Sequence, residues 1–222
     1  MPPTFHPGST NRLTTHDLGR FAGDTLFDRL GRAVCQAGCL PRKELFEAWE
    51  VARRTRRLFR GGRVLDVAGG HGLLAHAMLV LDDSSPAALV VDREVPKSAD
   101  RLRAALVDAW PRLDGRVAYG PVSIDAVVAG PADVVVSCHA CGALTDRALD
   151  LAIRAGARVA VLPCCHDVDT CDTGGLTGWL DPSTAIDVVR AARLREAGYE
   201  VRTQTIPADV TAKNRLLLGA RS

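Results

Sequence analysis

Two short stretches of this chain gather thiols and imidazoles. One is Cys138-His139-Ala140-Cys141-Gly142, running on to Thr145 and Asp146; the other is Pro163-Cys164-Cys165-His166-Asp167. An imidazole titrates near neutral pH and can take a proton from a hydroxyl. His139 and His166 are the candidates for that task, with Asp146 or Asp167 available to orient a ring. A thiolate is a nucleophile, so Cys164 or Cys165 could add to an electrophilic ring such as a pyrimidine. Cysteine and histidine also bind zinc, and Cys138, Cys141, Cys164, Cys165, His166 and Cys171 include enough ligands for a tetrahedral ion. The second pair is adjacent rather than spaced, however, and the first lies at a strand end rather than in a small ribbon, so no metal is assigned from the sequence. Small, half-buried cysteines can also simply shape a pocket. The residues alone leave these readings open.

A third stretch, Asp66-Val67-Ala68-Gly69-Gly70-His71-Gly72, suits a nucleotide-like cofactor. It follows an apolar run and opens an apolar helix, and the acid Asp92 ends the next apolar run. Glycine lets backbone approach a ligand closely. A nicotinamide-binding turn would read G-x-G-x-x-G straight after the strand; here Asp66 falls inside the motif and Ala68 stands where the first glycine would. Alanine resists positive φ, which predicts a slightly altered loop.

These groups must be positioned by alternating elements. The pattern predicts strands over 63–67, 87–91, 115–119, 132–137, 157–162, 199–206 and 214–219, and helices over 71–81, 96–110, 143–155 and 183–197. Ser183-Thr184 reads as the last helix's N-cap and Gly198 as its C-cap. Alternation of this kind predicts a parallel sheet covered on both faces. The last two strands are joined by too few residues for a crossover helix, so they should pair antiparallel. Both thiol-imidazole stretches then fall at carboxyl ends of strands, the edge where open α/β sheets bind ligands. Residues 1–60 read as an N-terminal helical extension, frayed over 1–14, and 61–222 as the catalytic domain. Within the extension, Leu45, Phe46, Trp49, Ala52, Leu58 and Phe59 keep helical spacing, and Gly61-Gly62 ends that helix.

Composition narrows the classes. Hydrophobic residues make up 47% of the 222, enough for a core and against disorder. The net charge of +2 requires no polyanionic partner, although Arg53, Arg54, Arg56, Arg57 and Arg60 form a local basic cluster that could meet phosphates. No apolar run would span a bilayer, and the first residues have no signal core. The 7 cysteines are then read as reduced thiols of a cytoplasmic protein. The glycines at 174, 175 and 178 could make either a mobile, substrate-facing loop or an ordinary connection to the next helix, and Lys213 and Arg215 in the final turn could bind an anionic substrate or form a solvated turn.

The Asp66 to Gly72 pattern resembles motif I of S-adenosylmethionine-dependent methyltransferases. Five parallel strands, a helix and a closing hairpin is the order of their class I fold. "CHACGALTD" with "LPCCHD" resembles the paired H-x-C-G-x-x-T-D and C-C-C-H motifs of a methyltransferase family that includes the eukaryotic tRNA 2′-O-methyltransferases of the acceptor stem, with Pro163 in place of the first cysteine. The likeness covers about residues 60–170. It implies an α/β, Rossmann-like class I domain: a seven-stranded, mostly parallel sheet with a terminal antiparallel hairpin and an N-terminal helical cap. It implies S-adenosylmethionine held by Asp66, Ala68, Gly69, Gly70, Gly72, Asp92, Asp125 and Cys138. Asp66 would face the methionine ammonium, Asp92 the ribose hydroxyls and Asp125 the adenine. His139, Cys141, Asp146 and His166 would be catalytic, and Cys164, Cys165, Lys213 and Arg215 would touch substrate. The implied acceptor is RNA, a tRNA ribose 2′-hydroxyl. A small-molecule or protein methyltransferase is the alternative, as is a non-catalytic metal- or cofactor-binding protein of the same fold.

Overall fold

The computed structural model describes residues 5–221. Its core is one seven-stranded sheet in the order β3-β2-β1-β4-β5-β7-β6. The strands are β1 (Val64–Val67), β2 (Ala88–Asp92), β3 (Val117–Pro121), β4 (Val134–Ser137), β5 (Arg158–Val161), β6 (Tyr199–Thr205) and β7 (Arg215–Arg221). β1 to β5 are parallel; β7 runs antiparallel to both β5 and β6. β1 and β4 are buried along their whole length, and are accordingly apolar apart from Asp66 and Ser137. The chain leaves β1 toward β2 and β3, then returns to place β4 on β1's other side. The sheet's switch point therefore lies at the carboxyl ends of β1 and β4, where such sheets bind ligands.

The helices are α1 (Leu26–Ala37), α2 (Arg42–Leu58), α3 (Leu73–Leu81), α4 (Ala99–Ala109), α5 (Ala143–Ala155) and α6 (Pro182–Glu196). α3 is apolar on every side and almost wholly buried. A helix of that composition needs cover on both faces. The sheet supplies one face, and α2 packs on the other through Leu45, Ala48, Val51, Ala52 and Thr55, spaced at helical intervals. α1 covers α4 in the same way. The N-terminal helices thus share one apolar core with the sheet.

Several boundaries differ from the sequence expectation. α3 begins only at Leu73, because Gly70 and Gly72 take positive φ and keep the turn out of the helix. α4 starts at Ala99 rather than 96, and β3 is shifted to Val117–Pro121. α6 is capped by Asp181, whose carboxylate accepts from the Thr184 N–H at 3.1 Å, with Pro182 at the first helical position; Ser183-Thr184 is not the cap. Residues 5–14 are not frayed; the first four residues of the segment expected to fray lie outside the described residues. Leu13 is buried and its N–H bonds Leu40 O at 3.0 Å, while the Arg42 guanidinium stacks on Phe5 at 3.7 Å. No helix is long and apolar enough to cross a membrane.

Candidate active site

The glycine turn is built mainly from backbone. Ala68 has φ 54°, the single positive value at a non-glycine among the described residues. The alanine thus adopts the conformation that the sequence reading expected it to resist, held there by the closed loop around it. Gly72 N–H bonds Gly69 O at 2.7 Å, and Gly70 N–H bonds the Asp92 carboxylate at 3.0 Å. A Cβ on Gly69 would lie 2.8 Å from both Asp66 Cγ and Val90 Cγ1, so only glycine fits there. A Cβ on Gly70 would meet nothing within 4 Å; the space beside it is open. His76, unnoticed in the sequence, anchors the turn from beneath. Its Nδ1 lies 2.7 Å from Gly72 O, and burial drives its pKa down to about 4, so the ring is neutral and Nδ1–H donates.

Beside the turn lies a cleft of about 280 Å³ lined by Ala68, Val91, Asp92, Ser123, Ile124 and Leu144. Apolar walls with one carboxylate at the end of β2 suit an adenosine: the walls take the purine, and Asp92 accepts from ribose hydroxyls. Its bonds from Gly70 and from Glu94 N–H at 3.3 Å fix the carboxylate while leaving lone pairs free. The residues therefore fit S-adenosylmethionine. Asp125 is exposed and paired with Arg147, so it is Ser123, Ile124 and Arg147 that line this cleft. Asp66 is buried and accepts from the Ala75 N–H at 3.0 Å. Burial, with a smaller push from Asp92, raises its pKa to about 7 against the pull of that hydrogen bond.

The β4–α5 loop carries the first thiol-imidazole stretch. Ser137 Oγ donates to Val67 O at 2.7 Å and accepts from Ala140 N–H at 3.1 Å, tying the loop to the end of β1. Cys138 is buried on a cavity of only about 20 Å³ that it shares with Glu44, Asp66, Gly69, His71 and His139. That is room for about one water molecule. Burial, then Glu47 and Asp66, hold the Cys138 thiol far above its ordinary value, so it stays protonated. His139 is exposed at the mouth of this cavity; surrounding protein and Lys43 lower its pKa, leaving the ring neutral and able to accept a proton.

The second stretch splits in two. Cys164 and Cys165 meet Cys141: the Cys141 and Cys164 sulfurs are 2.9 Å apart and all three lie within 4.8 Å of one another. Burial raises the Cys141 and Cys164 thiols above their ordinary values. The His166 side chain turns away into the protein, its Nε2 2.9 Å from Asp187 Oδ1. Asp187 also accepts from Arg215 Nε at 2.7 Å and from Arg190 at 3.3 Å. Burial alone would raise the Asp187 carboxyl, but the bonds from His166 and Arg215 outweigh it and the net shift is downward.

Asp146 orients neither histidine: it bonds the buried Arg190 at 2.8 Å and Arg193 at 3.0 Å. Asp167 closes its own turn through Thr170 Oγ1 at 2.8 Å. Arg215 is committed to Asp187 and Ser183, whereas Lys213 is exposed and lines a hollow with Lys43 and His6. Asp187 and Arg190, unmarked in the sequence, organise this half. Their i, i+3 spacing on α6 was the available signal. The arginine cluster is largely structural. Arg53 and Arg54 pair with Glu50, and the buried Arg56 donates to Met78 O at 3.1 Å and Ser85 Oγ at 2.7 Å and pairs with Asp82. Arg56 and Arg60 lie at the amino edge of the sheet, opposite the cleft.

Residues 50–169, just over half of the chain, match the family described as a methyltransferase domain. No curated protein matches the chain. Among solved structures, it is similar to an O-methyltransferase family protein from Burkholderia thailandensis (TM-score 0.55, 22% identity over 96% of this chain). It is similar also to the S-adenosylmethionine-dependent methyltransferase SibL in its apo form (0.53, 23%, 95%). A third is the M1A22 tRNA methyltransferase TrmK of B. subtilis (0.51, 14%, 78%). The chain spans 65%, 66% and 65% of those three, and at these identities the likeness is one of fold. Family match and sheet order agree: the chain belongs to the methyltransferase domain family and has the class I fold.

Proposed function

We propose that this enzyme methylates a hydroxyl of RNA, a tRNA ribose 2′-hydroxyl being the favoured acceptor, with His139 receiving the hydroxyl proton. S-adenosylmethionine, when bound, supplies an electrophilic methyl group. The chain's own residues hold the donor at Asp92 and the glycine turn, orient the acceptor, and remove its proton. His139 suits the last task because its ring is neutral and exposed beside Asp66 and Gly69; His166 does not, because Asp187 holds it.

The observation that carries an RNA acceptor is the charge around the cleft. Arg93 lines the cleft itself, Lys43 and Lys213 line a neighbouring hollow, and Arg12 and Arg101 bear on His71. Among the described residues, no ion pair occupies Arg12, Arg93, Arg101 or Lys213. Unpaired cations along the cofactor edge suit a phosphate backbone. The cavity beneath the N-terminal helices is too small to enclose a metabolite, which favours an acceptor approaching from solvent. Trp179, almost fully exposed on the β5–α6 connection, offers a face on which a base can stack.

Labelled S-adenosylmethionine incubated with total tRNA, protein and metabolite fractions tests the reading. Label in tRNA, at positions that then resist alkaline cleavage, is the expected result. That incorporation should fall steeply with salt and with Arg12→Glu combined with Lys213→Glu. His139→Ala should lower turnover about 10²- to 10⁴-fold with cofactor affinity unchanged. Label confined to protein or metabolites would overturn the RNA assignment.

A further inference from the structure

Three sulfurs from two separate loops converge at the carboxyl edge of the sheet. Cys141 leads into α5, and Cys164 and Cys165 follow β5. Their Sγ atoms all lie within 4.8 Å of one another, and all three residues are exposed or half-buried. The convergence does not depend on the sulfurs themselves. Gly142 N–H donates to Cys165 O at 3.3 Å, and Arg190 holds Gly142 O at 3.0 Å, so backbone contacts keep the two loops together. A tetrahedral zinc with Zn–S of about 2.3 Å sets its sulfurs about 3.8 Å apart. The Cys141 and Cys164 sulfurs stand 2.9 Å apart and the third lies within 4.8 Å of both, so the three bracket that spacing. Cys141 also precedes the first turn of a 13-residue helix, whose N-terminus favours an anionic sulfur.

We propose that Cys141, Cys164 and Cys165 form a three-thiolate zinc site at the carboxyl edge of the sheet. Among the described residues no other histidine, cysteine or carboxylate joins the group, so the fourth position falls to water or to an incoming donor atom. The other ligands that the sequence offered are engaged elsewhere. Cys138 is buried beside Asp66, Cys171 is buried against Arg190 Nη2 at 3.5 Å, and His166 Nε2 faces Asp187. Three soft thiolates select zinc over magnesium or calcium, which take oxygen ligands. Binding exchanges the three S–H protons for one Zn²⁺; no electron is transferred.

The test is metal content. The protein is expressed with added zinc, purified reduced and without chelator, and analysed by mass spectrometry for metals. One zinc per chain is expected. Cys141→Ser, Cys164→Ser and Cys165→Ser should each reduce it to background while the far-ultraviolet spectrum stays native, and Cys39→Ala should keep it. Cobalt in place of zinc should give strong thiolate charge-transfer absorption that is lost in the same three variants. Zinc well below stoichiometry in the reduced protein, or zinc undiminished in the serine variants, would overturn the site. These readouts do not depend on methyl transfer, so failure of the RNA assignment leaves them unaffected.

Discussion

The two halves of the site are made in different ways. The cofactor half, from β1 through the glycine turn to β2, is shaped by backbone. Positive φ at Ala68, Gly70 and Gly72, the absence of a Cβ at Gly69, and main-chain donors to Asp66 and Asp92 form it within 27 consecutive residues, 66 to 92. The acceptor half is shaped by side chains that meet from afar. Arg190 on α6 joins Asp146 on α5, the Gly142 carbonyl and Cys171, while Asp187 joins His166 and Arg215. A backbone-made site tolerates change where side chains point outward and fails where a Cβ intrudes. A side-chain network fails when any buried member loses its partners.

Four substitutions or titrations would break or sharpen that contrast. The largest effect is expected at Arg190→Met. This guanidinium is 1% exposed, and removing it leaves the Asp146 and Asp187 carboxylates short of a partner. Losing one member of such a buried charge set costs about 3–5 kcal/mol, measurable by urea unfolding. A loss below about 1 kcal/mol would mean that the acceptor half does not rest on this network.

Next, Gly69→Val should weaken S-adenosylmethionine binding by about 2–3 kcal/mol, because its Cβ would press on Asp66 and Val90 and reshape the turn. Calorimetry checks this, and an unchanged affinity would contradict a backbone-made cradle.

The third test is titration of Asp66. In the free protein its carboxyl titrates near 7, chiefly through burial. Because that value is raised, its contribution to folding is fully present below about pH 4 and lost as pH rises through about 7. A cofactor ammonium placed beside it would favour the carboxylate, so binding should release a proton, and affinity should fall by at most about tenfold per unit as pH drops below 7. Asp66→Asn should flatten that dependence; a flat profile in the native protein would separate Asp66 from the cofactor.

The smallest expected effect is Ala68→Gly, which relieves a left-handed alanine and should stabilise the fold by about 0.5–1 kcal/mol in thermal unfolding. Destabilisation there would show that the alanine methyl packs usefully in the turn.

Legibility followed the same division. The alternation of strands and helices, the closing hairpin and the turn with its two acids were all readable, because each is signalled by neighbours in sequence: apolar runs, glycines, short connections. Helix starts were misplaced by a few residues where glycine or proline delayed the first turn, as at Leu73 and Ala99. The partners of His166 and Asp146 were unreadable, since Asp187 stands 21 positions from His166, Arg190 and Arg193 stand 44 and 47 positions from Asp146, and nothing local distinguishes them from surface charges. The arginine cluster divided for the converse reason. A run of five cations looks like one footprint, yet successive helix positions point different ways, and Arg56 is buried against Asp82.

By itself, then, the sequence determined the doubly wound sheet with its antiparallel end, the glycine turn between β1 and α3, and the placing of both Cys/His stretches at carboxyl ends of strands. Periodicity and turn chemistry act over a few residues, and the chain states them directly. Only the tertiary structure decided which thiols meet, which histidine stays free, and which cations remain unpaired around the cleft. Those outcomes depend on distances between elements remote in sequence, and on burial that no single segment encodes.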